Sequence, residues 1–396
     1  MFFSCPISEK KEVKIEVKTS ISQVDEKRWD AIVNGDNLYL STRYLSALEK
    51  SLDSVDFRYL LFFKNKKLVG LASVQIVNLI NQSKEYGELF CSVGDKIKDK
   101  FIASLNIRVM TCGNVFSTGE NGFAHTDAIS EKEFYLALSK GLKELSRNKE
   151  LNGNASIILL KEFWPQSFKK GAFLKPENYR GFSIDVNMIL KIHPQWKSID
   201  DYLQSMVTKF RTKAKSVFKK SASITSRNLT AEDIENHKAE LEQLYQAVLH
   251  HADFKFGELN GEAFLQLKNN LNGQFLVTGY FKENKLVGFS SGFLFGDVLD
   301  ANYVGFDYDL NHKYALYQRM LYDFVEMAIN MNCSELRLGR TAEELKSGLG
   351  AEPVNMKLFM RHRNSLSNKL LKPFVERISP HEYELRKPFK ASFSYN

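Results

Sequence analysis

Apolar positions along the chain change their period in a fixed order, and that order occurs twice. VKIEVK (13–18) alternates as a short strand, and SISQVDEKRWDAIV then turns to helical spacing behind Ser and Asp. STRYLSALEKS follows as a second short helix. FFKNKKLVGLAS (62–73) reads as a β-hairpin, with an apolar arm, a polar Lys/Asn turn, and LVG opening the return arm. After a polar connection come the strand LNIRVMTCGN and a helix with Tyr135, Leu138, Leu142 and Leu145 on one face. The strand ASIILL and a further helical stretch complete the first run.

The second run repeats it. ASITSRN (222–228) predicts a strand, and Thr230 with Asp233 predicts a capping box opening TAEDIENHKAELEQLYQAVLHH. The short helix GEAFLQLKNNL precedes the hairpin YFKENKLVGFSS (280–291). DVLDANYVGFD then leads to a helix with Tyr314, Tyr317, Leu321, Phe324, Val325 and Ala328 at helical spacing. CSELRLGR, the short helix TAEELKSGLG and the strand NMKLFMRHR follow. The hairpins align without a gap, placing Phe63, Lys64, Lys67, Leu68, Val69, Gly70 and Ser73 on Phe281, Lys282, Lys285, Leu286, Val287, Gly288 and Ser291. Each half reads β-α-α-β-β-β-α-β-α-β, a unit too long for a solenoid repeat and suited to a duplicated domain.

That order resembles the GNAT acyltransferase fold, and two copies in tandem resemble its FemABX-like bacterial N-acyltransferases. ELKSGLG is similar to the Tyr-Lys-x-x-aromatic-Gly signature of those proteins: Lys346 and Gly350 match it, while Leu345 and Leu349 replace the aromatic residues. The resemblance implies an α/β class with mixed sheets and two tandem GNAT-like domains related by duplication. The first would span 13–190 and the second 191–375, including a basic linking helix at 201–220. It further implies that the tail, 376–396, with Phe374, Tyr383 and Phe389 recurring around it, folds back across the first domain.

The composition is that of a globular protein of two domains: 396 residues, 43% apolar and 26% charged. No apolar run reaches the length of a membrane span. The opening MFFSCPISEKKE has neither a signal-type apolar core nor a small-residue cleavage site, so a cytoplasmic chain is expected. Cys5, Cys91, Cys112 and Cys333 are scattered without metal-ligand spacing and read as reduced thiols.

A net charge of +8 points to acidic partners. Much of it crowds SMVTKFRTKAKSVFKKS (205–221), where Lys209, Arg211, Lys213, Lys215, Lys219 and Lys220 accompany Leu203, Met206, Phe210, Ala214 and Val217 at helical spacing. This is an amphipathic helix with a basic face. It serves either as a solvated linker or as a phosphate-attracting wall beside a cleft; a basic helix in the linking position of FemABX-like proteins favours the wall.

By resemblance, the chemistry is direct attack of an acceptor amine on a thioester or ester carbonyl. The protein must bring the groups together, accept a proton and stabilise the oxyanion. GFDYDLNHKYALYQRM lacks the glycines with which single-domain GNAT enzymes grip coenzyme A, as FemABX-like proteins commonly do. CGNVFSTGENGF (112–123) carries Gly119 and Gly122 between strand and helix. Its spacing matches no phosphate fingerprint, so it is either an ordinary loop or a wall for the acceptor.

Lys346, at the motif position, Tyr303, on ANYVGFD, and His251 are the catalytic candidates. A surface lysine, a core tyrosine and a helix-terminal charge are the plain alternatives. Arg340, His250, Lys209, Arg211, Lys213 and Lys215 are candidates for substrate binding.

The first function class is transfer of an acyl group from acyl-CoA or acyl carrier protein to the amine of a small molecule or lipid precursor, with a peripheral membrane surface as a further partner. The second, also implied by the resemblance, is aminoacyl-tRNA-dependent peptide-bond formation on a cell-wall precursor. The third is a non-catalytic nucleic-acid-binding protein. Some tRNA-using Fem proteins insert a coiled-coil arm where this chain has only ADFKFGELNGEAFLQLKNNLNG, which places the first class ahead of the second. No RNA motif or aromatic-basic platform supports the third.

Overall fold

The computed structural model describes residues 12–35, 37–79, 107–183, 186–251, 257–369 and 383–393; Cys5, Cys91 and Phe374 lie outside them. The first half runs β1 (Lys14–Lys18), α1 (Glu26–Val33), α2 (Thr42–Ser51), β2 (Asp56–Lys64), β3 (Lys67–Leu79), β4 (Ile107–Cys112), β5 (Phe123–His125), α3 (Glu131–Leu145), β6 (Ile157–Phe163) and β7 (Arg180–Phe182). Then come β8 (Val186–Lys191), α4 (Ile199–Ser205) and α5 (Thr208–Lys220). The second half runs β9 (Thr225–Asn228), α6 (Ala231–Asn236), α7 (Lys238–Leu249), α8 (Gly261–Leu271), β10 (Phe275–Lys282), β11 (Lys285–Phe295), β12 (Val298–Phe306), α9 (Tyr308–Tyr314), α10 (Leu316–Asn330), β13 (Glu335–Arg337), α11 (Glu343–Ser347), β14 (Glu352–Asn355) and β15 (Lys357–His362).

The repeated phrase forms the same hairpin in both halves, β2–β3 and β10–β11. Asn65 and Lys66 in one turn, and Glu283 and Asn284 in the other, all have positive φ, which matches the twist of the paired strands. Each hairpin carries a register shift one residue before the aligned phenylalanine, at Phe62/Phe63 and at Tyr280/Phe281. The shared glycine has a steric cause. A Cβ at Gly70 would lie 2.6 Å from the Phe134 ring on α3, and one at Gly288 would lie 2.7 Å from the Met320 methyl on α10. In both halves, therefore, the glycine lets the long helix cross the strand. Gly70→Ala is expected to lower stability in urea by about 1–3 kcal/mol. Gly288→Ala should cost less, because a methionine end can swing aside and a packed ring cannot; equal losses would sink this explanation.

The described strands form two mixed sheets. One is ordered β1-β2-β3-β4-β6-β15-β7, with β5 also on β3, and the other β14-β8-β13-β12-β11-β10-β9. The expected division at 190/191 is not the division of the sheets. β8, from the end of the first half, pairs with β13 and β14 in the second sheet. β15, from the end of the second half, lies between β6 and β7 in the first. A single residue, Met356, separates β14 from β15. That is shorter than the two-residue loop of a tight hairpin, so the chain steps across to the other sheet.

A shared core joins the halves. The equivalent helices α2 and α8 pack on each other, and Tyr39 and Tyr44 meet Phe293 edge-on at 5.2 and 5.7 Å. The α3 face read from the sequence is buried at Tyr135, Leu138, Leu142 and Leu145. The Thr230–Asp233 capping box is present.

Two further expectations are corrected. The linking helix is broken at Met206–Val207, where Met206 bridges to Phe389 and the Val207 N–H donates to the Pro388 carbonyl (2.8 Å). The described tail, 383–393, does not cross the first domain; it docks on the second. Phe389 packs against Trp196 (5.3 Å) and Tyr202 (5.8 Å) in a slot opened by Gly350, whose φ is +94° and where a Cβ would stand 2.0 Å from the Phe389 ring. The slot and the broken helix supply both the apolar and the hydrogen-bonding partners that the tail needs.

Candidate active site

β12 and β13 are parallel and pair only over Val298–Asp300 and Glu335–Arg337. Beyond Asp300 they separate, because Leu338 and Gly339 turn instead to Met188 on β8: Leu338 N–H donates to Met188 O (2.8 Å), and Met188 N–H to Gly339 O (3.0 Å). Asp300 therefore stands at the fork. It is fully buried, with Oδ2 accepting from the Tyr39 hydroxyl at 2.5 Å and Oδ1 without a partner among the described residues. Asn302 donates to the same Tyr39 oxygen at 2.7 Å. Burial pushes the Asp300 carboxyl up to about 6, against the hydrogen bond from Tyr39.

The first half supplies the facing wall. The Gly113–Gly122 loop places Asn114 on the Tyr44 hydroxyl (2.8 Å) and Thr118 on Asn187 (3.1 Å), and its Phe116 carbonyl accepts from the Tyr303 hydroxyl. Asn187 Oδ1, buried on β8, has no partner among the described residues. A bulge sets the next pair of side chains: β6 spends three steps from Leu160 to Phe163 where β15 spends two, and Glu162 has φ +54°. Both Lys161 and Glu162 are consequently buried and pair with each other at 2.9 Å. Lys161 also donates to Ser117 O (2.6 Å), and Gly119 N–H donates to Glu162 Oε2 (2.7 Å). Arg340 closes the cluster from the second half by pairing with Glu162. Burial works to raise the Glu162 carboxyl, yet Arg340 and Lys161 together hold it below its ordinary range. Burial brings the Lys161 ammonium down to about 8, with Glu162 opposing.

Arg340 faces two ways. Its guanidinium meets Glu162, and its carbonyl accepts from Lys346 Nζ. Gly339, Thr341 and Ala342 all have positive φ, a strained path for a β-branched residue, and it carries the chain from β13 into α11. Lys346 is buried, not a surface lysine, and burial lowers its ammonium to about 7 with Glu343 opposing.

Of the residues singled out from sequence, Arg340 and Gly119 thus join Glu162, Lys346 bonds to the Arg340 carbonyl, and Tyr303 meets the Phe116 carbonyl of the facing loop. Gly122 has a packing role: its carbonyl accepts from Ser73 N–H at 2.8 Å, and a Cβ there would strike the Cys112–Gly113 backbone at 2.8 Å. His250 and His251 are exposed at the end of α7, where His251 stacks on Tyr308 (4.1 Å) and bonds to Ala247 O (2.9 Å), contacts outside the buried cluster. Lys209 and Lys213 face the tail instead of the fork, Arg211 reaches the Met206 carbonyl (3.5 Å), and Lys215 is exposed. Sequence reading missed Asp300, Lys161, Glu162 and Asn187. The one available signal was the charged pair inside the apolar strand ILLKEF, which a solvent-facing alternation does not explain.

No protein-family model and no curated protein matches the sequence. Solved structures do match it along most of its length. One is FemX, with a TM-score of 0.54 and 11% identity over 91% of this chain and 100% of that one. Another is the tandem GNAT protein from the clavulanic acid biosynthesis pathway, with a TM-score of 0.51 and 8% identity over 89% of this chain and 99% of that one. The fold is that of GNAT proteins, present here as two GNAT-like domains in tandem. No described helix is long and apolar enough to cross a membrane.

Proposed function

We propose that this chain is an N-acyltransferase that moves an acyl group from acyl-CoA or acyl carrier protein to the amine of a small-molecule or lipid-precursor acceptor. The observation that carries the reading is Asp300: a buried carboxyl, raised to about 6, with an unpaired oxygen where two parallel strands part. In the reaction, the acceptor nitrogen bonds to the acyl carbon, the carbon–sulfur bond of the donor breaks, and the thiolate leaves to take up a proton. The proton lost by the amine passes to Asp300, whose carboxyl titrates near the working pH. Lys346, on the α11 helix that follows β13, is the donor for the developing oxyanion. Tyr303 and the Gly113–Gly122 loop form the wall against which the acceptor is held.

The test is mass spectrometry of lipid and peptidoglycan extracts from a deletion strain, followed by assay of the purified chain with acyl-CoA and acyl carrier protein. Loss of an N-acylated amine, restored by the wild-type chain and not by Asp300→Asn, is the expected result. A shortened peptide bridge would instead select aminoacyl-tRNA-dependent transfer to a cell-wall precursor. Full complementation by Asp300→Asn would overturn the assignment of the base.

A further inference from the structure

Between α5 and the docked tail lies a hollow of about 480 Å³ whose charge is one-sided. Lys209 and Lys213 line it from the helix, and Arg386 and Lys387 from the tail. Among the described residues, Glu384 is the single acidic one in its wall. Arg386 is already engaged with Glu344 at 2.7 Å, whereas Lys209, Lys213 and Lys387 pair with no carboxylate among the described residues. The like charges press on one another: partial burial of the stem, then Arg386 and Lys209, push the Lys213 ammonium below its ordinary range. A folded chain that gathers cations without neutralising them leaves an anion to complete the balance.

We propose that this hollow is a binding site for the phosphates of a small phosphorylated molecule, with a diphosphate group fitting its several cations. Three features define the ligand. The volume falls in the range of small-molecule pockets, about 300–1,000 Å³. The site is concave, built from two chain segments, while a lipid surface calls for basic groups spread over an open face. Phe210 and the exposed Leu385 add apolar wall beside the cations, so an organic group can follow the phosphates in. The site is also tied to α11: Arg386 N–H donates to the Ser347 hydroxyl (3.2 Å), next to Lys346. The proposal does not depend on acyl transfer and stands or falls on binding alone.

Inorganic pyrophosphate, titrated calorimetrically into the full chain, is the probe. We expect binding that weakens as salt rises, and at least tenfold weaker binding for Lys209→Gln/Lys213→Gln/Lys387→Gln. The corresponding triple arginine variant should bind within a few-fold of wild type. All three lysines are exposed, so both variants are expected to fold, and an unchanged melting curve verifies it. No pyrophosphate binding at millimolar concentration, or equal binding by the glutamine variant, overturns the site. Sedimentation with phosphatidylglycerol vesicles, and not with phosphatidylcholine vesicles, in a chain that ignores pyrophosphate also overturns it, in favour of a membrane headgroup.

Discussion

Lys346→Met is expected to reduce turnover by about a hundredfold, the scale of losing one oxyanion donor, while making the folded chain more stable. The two effects have one origin. The ammonium is held in a buried place that brings its pKa down to about 7, so part of the folding free energy is spent on keeping it there. Replacing a buried charge by an apolar side chain of similar volume is neutral or stabilising, by about 1–4 kcal/mol, although the hydrogen bond to the Arg340 carbonyl is lost. The sign of the pH effect follows. Between pH 7 and the ordinary lysine value of about 10.4, the unfolded chain holds a proton that the native chain has lost, so native stability rises with pH through that window. Lys161, lowered to about 8, contributes the same way from about 8 upward. Comparing wild type with Lys346→Met between pH 7 and 8 therefore isolates Lys346, by chemical denaturation and without any substrate. Parallel stability curves over that interval would show that the lysine is not held as described. In turnover, an ammonium that must stay charged predicts a rate that falls above pH 7.

The second large effect concerns Glu162, the only carboxylate paired with both Lys161 and Arg340 among the described residues. Glu162→Gln should lower stability by about 3–5 kcal/mol, because it strands two cations at a buried junction of the two sheets. The triple variant Lys161→Met/Glu162→Gln/Arg340→Met should recover most of that loss, since no uncompensated charge remains. Equilibrium unfolding of the single and triple variants decides the matter. If the triple is as unstable as the single, the loss comes from disturbed packing around the β6 bulge and not from charge.

What could be read from the sequence was local. The hairpin phrase and the face of α3 are set by residues near one another in the chain, and their periods express that geometry directly. Gly70 and Gly288 were legible as a repeat, though their purpose depends on Phe134 and Met320, which lie far along the chain. Lys346 was singled out by its motif, yet its burial could not be read: nothing in ELKSGLG says that the strained turn before it tucks the side chain inward. Asp300 looks like a polar position in an alternating strand, and only the departure of β13 makes it the floor of a fork. The exchange of β8 and β15 was equally hidden, since hydrophobic pattern marks a strand without choosing its sheet. The tail was misplaced for the same reason: the slot at Gly350 that receives Phe389 is made by the fold and is absent from any single segment.

The exchange of strands also governs when the protein can exist. On a ribosome, the first sheet is nearly all delivered once β7 has emerged, but among the described strands β6 and β7 are joined only through β15, which emerges after every strand of the second sheet. Until then the nascent first half carries two unpaired strand edges, and β8 has no partner strand until β13 is made. Each half thus lends the other a strand, and neither sheet is complete until both halves have been made.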